Sequence, residues 1–323
     1  MDNRINNFLP RIALISLFFI GNTVINLPFS QGITASLVGF AAAFIISTPL
    51  IIAFARYNPS GNTFSVILFC LYALFCGIVT LRNYVTFSDK IILPEISSFF
   101  PTLLFLALLW LICREKQRVL LKLSLIFCAL VLTLIVFLFF FSLDNMSLKA
   151  LSPKTAVSLK DSLYQGVSYF GMSIAQSIVI AGLFKSNKKE MLSGYIIASL
   201  FLLICLLQSL ATFGYTLITQ LNYPYSAAMS VISFGDKFSR MEGFSYLLYF
   251  SCTLIKCAVC IISAKNTLTL RFPKVKKYFL PLVLGIYAIV SIFTKVFTNL
   301  PFLQVAPFMI IPPFVLITLK KKN

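Results

Sequence analysis

The chain has 323 residues, 59% of them hydrophobic and only 11% charged, with 34 Phe and a mean hydropathy of +0.95, a composition that excludes a water-soluble globule. A net charge of +18 would suggest nucleic acid in a soluble protein. Here the basic residues stand in short segments between apolar runs of about 20 residues, the length that crosses a bilayer core, so the partner is lipid and not nucleic acid. With no His, and with all eight Cys in or at the edges of apolar runs, neither a disulfide framework nor a four-ligand metal site is expected, and no cofactor is implied.

Hydropathy places ten spans, beginning with Arg11 to Leu27, Ile33 to Phe54, Phe64 to Phe87, Phe99 to Cys113 and Val119 to Phe141. The second half adds Ser162 to Phe184, Met191 to Thr219, Gly243 to Ala264, Tyr278 to Lys295 and Leu300 to Leu319. Arg4 and Arg11 before an apolar run imitate a signal peptide, but no small-residue cleavage site follows, and the segment reads as the first span. Alternating the loops gathers 18 of the 27 basic residues and 3 of the 9 acids on one side, including Arg56, Arg114 to Lys122, Lys185 to Lys189, Lys265 to Lys277 and Lys320 to Lys322. That side is expected to be the cytoplasm, with both termini in it. The longest connections, Ser142 to Asp161 and Gln220 to Glu242, fall on the other side and are apolar enough for short helices lying on the membrane surface. No Gly/Ser-rich linker divides the chain, so one membrane domain over residues 1–323 is expected.

Two spans carry interruptions. The first reads Ile20-Gly21-Asn22-Thr23 near its centre, and the sixth reads Gly166-Val167-Ser168-Tyr169-Phe170-Gly171-Met172-Ser173. Glycine with polar side chains at membrane depth frees backbone N–H and C=O groups to hold a charged ligand, and such breaks at matching places in two halves point to a transporter site. Glycine and serine also favour helix packing, which is the competing explanation for either break alone. If residues 1–142 and 143–323 are repeats of five spans each, the odd number makes them inverted. Gly21, Asn22, Thr23, Tyr169, Phe170, Gly171 and Ser173 are the candidate ligand-binding residues.

The eighth span contains Lys256 near its middle, where a lone ammonium costs roughly 2.5–3.5 kcal/mol or more. Helical spacing puts Glu242, Ser245, Tyr249, Cys252, Lys256, Cys260 and Ser263 on one stripe that should face protein or water. Lys256 either pairs with a carboxylate or snorkels, or it supplies a fixed positive charge where sodium-coupled transporters of broken-helix architecture place their cation. Cys257 and Cys260 form a CxxC, read as packing residues. Arg82, Asp236, Arg240 and Glu242 lie near the outer ends of the third and eighth spans and are candidates for an outer gate of paired charges. With no His, no phosphate loop and carboxylates mainly at loops or span ends, no catalysis is expected.

Tyr223-Pro224, Ser233-Phe234-Gly235-Asp236, Arg240-Met241-Glu242 and the run to Ile255-Lys256 resemble the B subunit of spore germinant receptors, the GerAB-type spore permease family. Leu81-Arg82 followed by Leu93-Pro94-Glu95 resembles a second element of that family. The resemblance implies an all-α integral membrane protein of the amino acid/polyamine/organocation transporter superfamily, with a LeuT-like five-plus-five inverted repeat and interrupted helices one and six. It further implies a sensor of an amino acid or similar small nutrient that works in the spore inner membrane with an A subunit and a lipoprotein C subunit. A free-standing proton-coupled amino acid permease and a structural scaffold for the partner subunits are the alternatives. Met172 and Ser173 stand where many family members carry an acid, and Asn83 follows Arg82 where an acid is frequent.

The alternation of basic loops predicts a labelling pattern. In a background without native Cys, Cys introduced at Lys188 or Lys276 should resist a membrane-impermeant thiol reagent added outside, and Cys at Lys154 or Lys237 should react. Equal labelling of both pairs would reject the ten-span topology.

Overall fold

The computed structural model describes residues 2–25, 33–59, 62–92, 99–147, 159–171, 175–184, 187–231, 242–292 and 302–320. Among these residues the chain is helical, as a backbone without water to bond must be. The helices are α1 Asp2–Ile25, α2 Ile33–Ala55, α3 Thr63–Phe87, α4 Phe99–Arg114, α5 Gln117–Ser142, α6 Leu159–Tyr169, α7 Ile180–Leu183, α8 Lys188–Ile218, α9 Pro224–Ser230, α10 Glu242–Arg271, α11 Lys276–Ile292 and α12 Phe302–Lys320. Each of the ten expected spans therefore has a helix or a helix pair. Five, within α2, α3, α5, α8 and α10, are long and apolar enough to cross a membrane by themselves.

The centre of the molecule is α10. Its apolar window is 89% buried, against 28% for those of α2 and α5, and it packs on α1, α3, α4, α5, α7, α9 and α11. A helix wrapped on every side buries its apolar residues along with its polar stripe, so Leu248, Ile255, Val259 and Ile261 are as inaccessible as Tyr249, Lys256 and Ser263. Helices such as α2 and α5, with rows of exposed Ile, Val and Phe, form the rim that meets lipid.

The first half of α1 is held against α8 by close packing. Gly194 lets α8 approach so nearly that a β-carbon there would stand 2.5 Å from Ile15 Cγ2 and 3.2 Å from the Ile12 carbonyl. Ser16 uses the same closeness, its hydroxyl donating to the Ile12 carbonyl at 2.9 Å and the Gly194 carbonyl at 3.2 Å. At the end of this contact, Arg11 Nη1 lies 3.4 Å from Glu190 Oε1 and the guanidinium sits 5.0 Å from the Phe184 ring centre. Glu190 also caps α8, accepting from the Asn187 amide at 3.0 Å.

Two backbone features depart from regular helix. Gly21 interrupts α1 with φ 13° and ψ −117°, and Gly214 interrupts α8 with φ 63° and ψ 179°, a conformation open to glycine and costly for any other residue. The second break was not anticipated from the sequence.

The connection after α8 also differs from expectation. Instead of lying on the membrane surface, α9 tucks into the bundle against α8 and α10, with Pro224, Tyr225, Ser226, Ala228 and Met229 buried. Pro224 at its first turn starts the helix without losing a needed amide. Beside it Tyr223 is buried against Phe87, ring centres 5.1 Å apart, and burial together with the nearby Asp89 charge pushes its hydroxyl pKa up to about 12.

The α1–α8 contact leaves no room for side chains at its closest point. Gly194→Val should lower stability by about 1–3 kcal/mol through overpacking, read as a lower thermal unfolding midpoint of the purified protein. Gly243→Ala, at a position with nothing within 4 Å of a new β-carbon, should leave the midpoint in place.

Candidate ligand site at the interrupted helices

Lys256 is completely buried, and its side chain lies in the break of α1. A β-carbon on Gly21 would meet Lys256 Cδ at 2.7 Å and Nζ at 3.6 Å, so the glycine both bends the helix and makes room for the lysine stem. The ammonium stands 5.1 Å from the centre of the Phe18 ring, one helical turn before the break, where a desolvated cation is attracted by the ring face. Beyond the break, Thr23 is buried and its hydroxyl donates back to the Phe19 carbonyl at 3.2 Å, bridging Gly21. Sequence spacing proposed Gly21, Thr23 and Lys256 from two distant segments, and the fold brings them together. The side chain of Asn22 lies outside the described residues.

Beyond Lys256, towards Arg271, the polar side chains of α10 are spent on packing. Ser263 Oγ donates to the Val179 carbonyl at 2.5 Å, and Cys257 Sγ donates to the Gly77 carbonyl at 3.6 Å. Gly77 is glycine because a β-carbon there would collide with the Tyr287 hydroxyl, itself bonded to the Leu74 carbonyl at 3.2 Å. Cys257 and Cys260 are buried free thiols, and among the described residues no cluster of His, Cys, Asp or Glu could hold a metal ion.

In the sixth span α6 ends at Tyr169, the next two residues form a wider turn, and the chain resumes as a 3-10 turn over Ala175–Val179 that leads into α7. The interruption is where the sequence placed it. Met172 and Ser173 lie outside the described residues. Gly171 is buried, and its carbonyl accepts from Gln176 Nε2 at 3.3 Å, a side chain that reaches back across the interruption. Gln176 is buried, also contacts Met309 Sδ at 3.5 Å, and among the described residues leaves Oε1 without a partner. It was missed in the sequence, although its position just after a glycine-rich interruption was the available signal.

Tyr169 is buried against Phe40, ring centres 4.9 Å apart, while its hydroxyl is near Cys205. Tyr249, two turns along α10 from Lys256, is near the same thiol, so Cys205 links the two halves of the site. Phe170 turns away, stacking on the partly exposed Phe314 at 6.2 Å. Of the outer-gate residues, half-buried Arg82 lines a shallow crease with Ile78, Leu81, Tyr287, Val290 and Ser291 that is too narrow to hold even a water molecule. Asp236, Arg240 and the Glu242 side chain lie outside the described residues.

Two interrupted helices, one of them receiving the buried Lys256 side chain from α10, frame the candidate site, and comparison gives the lineage. A profile of the spore permeases, described as spore germination protein, matches residues 58–300. The chain belongs to this family, the GerAB-type spore permeases. Among solved structures it is similar to Mhp1, a nucleobase-cation-symport-1 family transporter in a closed conformation with bromovinylhydantoin bound. The TM-score is 0.56 at 14% identity, over 88% of this chain and 74% of that one. The likeness identifies the fold, which is the LeuT-like helical transporter architecture. No match is found among curated proteins. This spore permease is thus a multi-pass membrane protein with a permease- or receptor-like role toward a nutrient.

The Gly21–Lys256 contact predicts coupled substitutions. Gly21→Ala alone should reduce the folded yield and lower the unfolding midpoint. In a Lys256→Ala background, which removes the Cδ it would strike, the same change should cost much less. Equal cost in both backgrounds would show that the lysine stem does not fill the break.

Proposed function

We propose that this spore permease is the nutrient-binding B subunit of a germinant receptor, acting with an A subunit and a lipoprotein C subunit in the spore inner membrane, both termini cytoplasmic. The observation that carries the reading is the burial of Lys256 in the break of the first helix. Residues 1–142 and 143–323 are the two inverted repeats of one membrane domain, and the ligand lies between their interrupted helices. Backbone groups at Gly21 and Gly171, with Asn22, Thr23, Tyr169 and Ser173 around them, receive an amino acid or a nutrient of similar size, while Phe170 backs the interruption from the α12 side. A carboxylate is favoured at the positive end of a half-helix and an amine at free carbonyls. Lys256 supplies a positive charge carried by the chain itself, so no sodium ion is needed to hold α1 and α10 in register. Arg82, Asp236, Arg240 and Glu242 close the outer side, where partial hydration makes ion pairs better suited to orienting than to stabilising.

The transporter fold favours a second reading, a free-standing proton-coupled amino acid permease. Accumulation of labelled amino acid by proteoliposomes containing this chain alone, driven by a pH gradient, would support it over the receptor.

Dose-response curves for spore germination, normalised to receptor level, test the site. Gly171→Leu should abolish the response by filling the space beside the backbone, and Thr23→Val or Ser173→Ala should shift potency without loss of protein. Lys256→Met removes a charge at similar volume and should keep normal protein level with an impaired response. If all four leave potency unchanged, ligand binds elsewhere.

A further inference from the structure

Two turns along α10 from Lys256, towards the Glu242 end, four helices bring together a cluster of buried polar atoms. Tyr169 of α6, Tyr225 of α9 and Tyr249 of α10 all lie near the thiol of Cys205 on α8, and the rings of Tyr225 and Tyr249 are 6.4 Å apart. One turn beyond Cys205 is Gln208. Its Nε2 donates to the Leu138 carbonyl at 3.2 Å and to Ser142 Oγ at 2.9 Å and lies 3.9 Å from Met229 Sδ of α9, which fixes the amide between α5 and α9. The three tyrosines and the glutamine are at most 2% exposed, yet none of the phenol oxygens, nor Gln208 Oε1, meets a hydrogen-bond partner at bonding geometry among the described residues. Tyr225 stands beside the Cys205 thiol, which is at best a weak sulfur partner for its hydroxyl.

Native proteins rarely leave buried polar atoms unmatched, and four in one place mark a surface built for something the chain does not itself supply. The chemistry limits what that is. Each phenol both donates and accepts, Gln208 Oε1 accepts only, and the walls are aromatic, with Phe87 edge-on to Tyr249 at 4.7 Å. An ion would find no opposite charge among these side chains, and an alkyl group would leave every oxygen unmatched.

Building on the nutrient-receptor reading, we propose that this cluster is the selectivity end of the ligand site and receives an uncharged group that both donates and accepts hydrogen bonds, a hydroxyl or a primary amide. The nutrient is therefore of the hydroxyl- or carboxamide-bearing class, not an aliphatic amino acid. Tyr225 gives α9 a direct part in recognition: the connection after α8 covers the ligand and reads it. A site made to bond a hydroxyl rejects the analogue without one far more strongly than an apolar slot rejects an extra hydroxyl.

The test uses the full-length purified protein and thermal unfolding with L-serine, L-asparagine, D-glucose, L-alanine and L-valine, the glucose arm separating a polyol from an amino acid. The proposal expects L-serine, L-asparagine or D-glucose to stabilise the protein at lower concentration than L-alanine or L-valine. Tyr225→Phe and Tyr249→Phe keep the rings and should each reduce the polar-to-apolar affinity ratio by about 10- to 100-fold. An unchanged ratio in both variants, or wild-type protein that binds L-valine as well as the polar probes, overturns the proposal. Gly171→Leu separates the two levels of inference. If it abolishes binding of all probes while the phenylalanine variants keep the wild-type ratio, the site stands and its polar end is misassigned. If no probe stabilises the wild type, or Gly171→Leu binds as before, the nutrient site itself is rejected.

Discussion

A charged side chain buried inside a bundle that floats in lipid is the constraint around which this spore permease is organised. Lys256 is fully enclosed, and its position requires three things at once. The helix that bears it must be surrounded by protein, which α10 is. The facing helix must lack a side chain where the lysine stem passes, which Gly21 provides. An electron-rich group must be near the ammonium, and the Phe18 ring is 5.1 Å away. Break, glycine and lysine therefore form one unit, and none of them has a sufficient reason to exist alone.

The break in α1 also divides the helix mechanically. Its first half is fixed to α8 through Gly194, Ser16 and the Arg11–Glu190 pair, while Thr23 stitches the start of the second half to the Phe19 carbonyl. In the sixth span Gln176 performs a comparable stitch to the Gly171 carbonyl. Both interruptions thus keep part of their backbone bonded through a polar side chain, which is how an irregular segment persists at membrane depth where water is scarce. Among the described residues, the buried side-chain atoms left without a partner belong to three tyrosines, two glutamines, two threonines and Arg11.

Similar fold and dissimilar sequence fit together on this account. Mhp1 shares the architecture at 14% identity because the architecture depends on helix order and on where helices break, which many apolar sequences satisfy. Selectivity depends on a handful of polar atoms, and those are particular to each chain. On the proposed reading, the lack of an acid after Gly171 and the tyrosines around Cys205 are of this second kind.

The sequence alone determined that the chain is a helical membrane protein, where the first and sixth spans break, and that Lys256 lies inside. Each follows from a local cost: apolar length for a span, Gly with polar neighbours for a break, desolvation for a lone ammonium. The resemblance at Arg82 and from Tyr223 to Lys256 supplied the family, which the profile match over residues 58–300 then established. Only the tertiary structure decided that Lys256 occupies the Gly21 break, because the two are 235 positions apart and no periodicity relates them. It also decided that α9 is an inward element, that α8 breaks at Gly214, that Phe170 faces α12, and that Gln176, Gln208 and Tyr225 belong to the polar interior. A glutamine or tyrosine in an apolar run looks the same whether its oxygen meets a neighbouring carbonyl or nothing, since its partner comes from another helix and is set by packing.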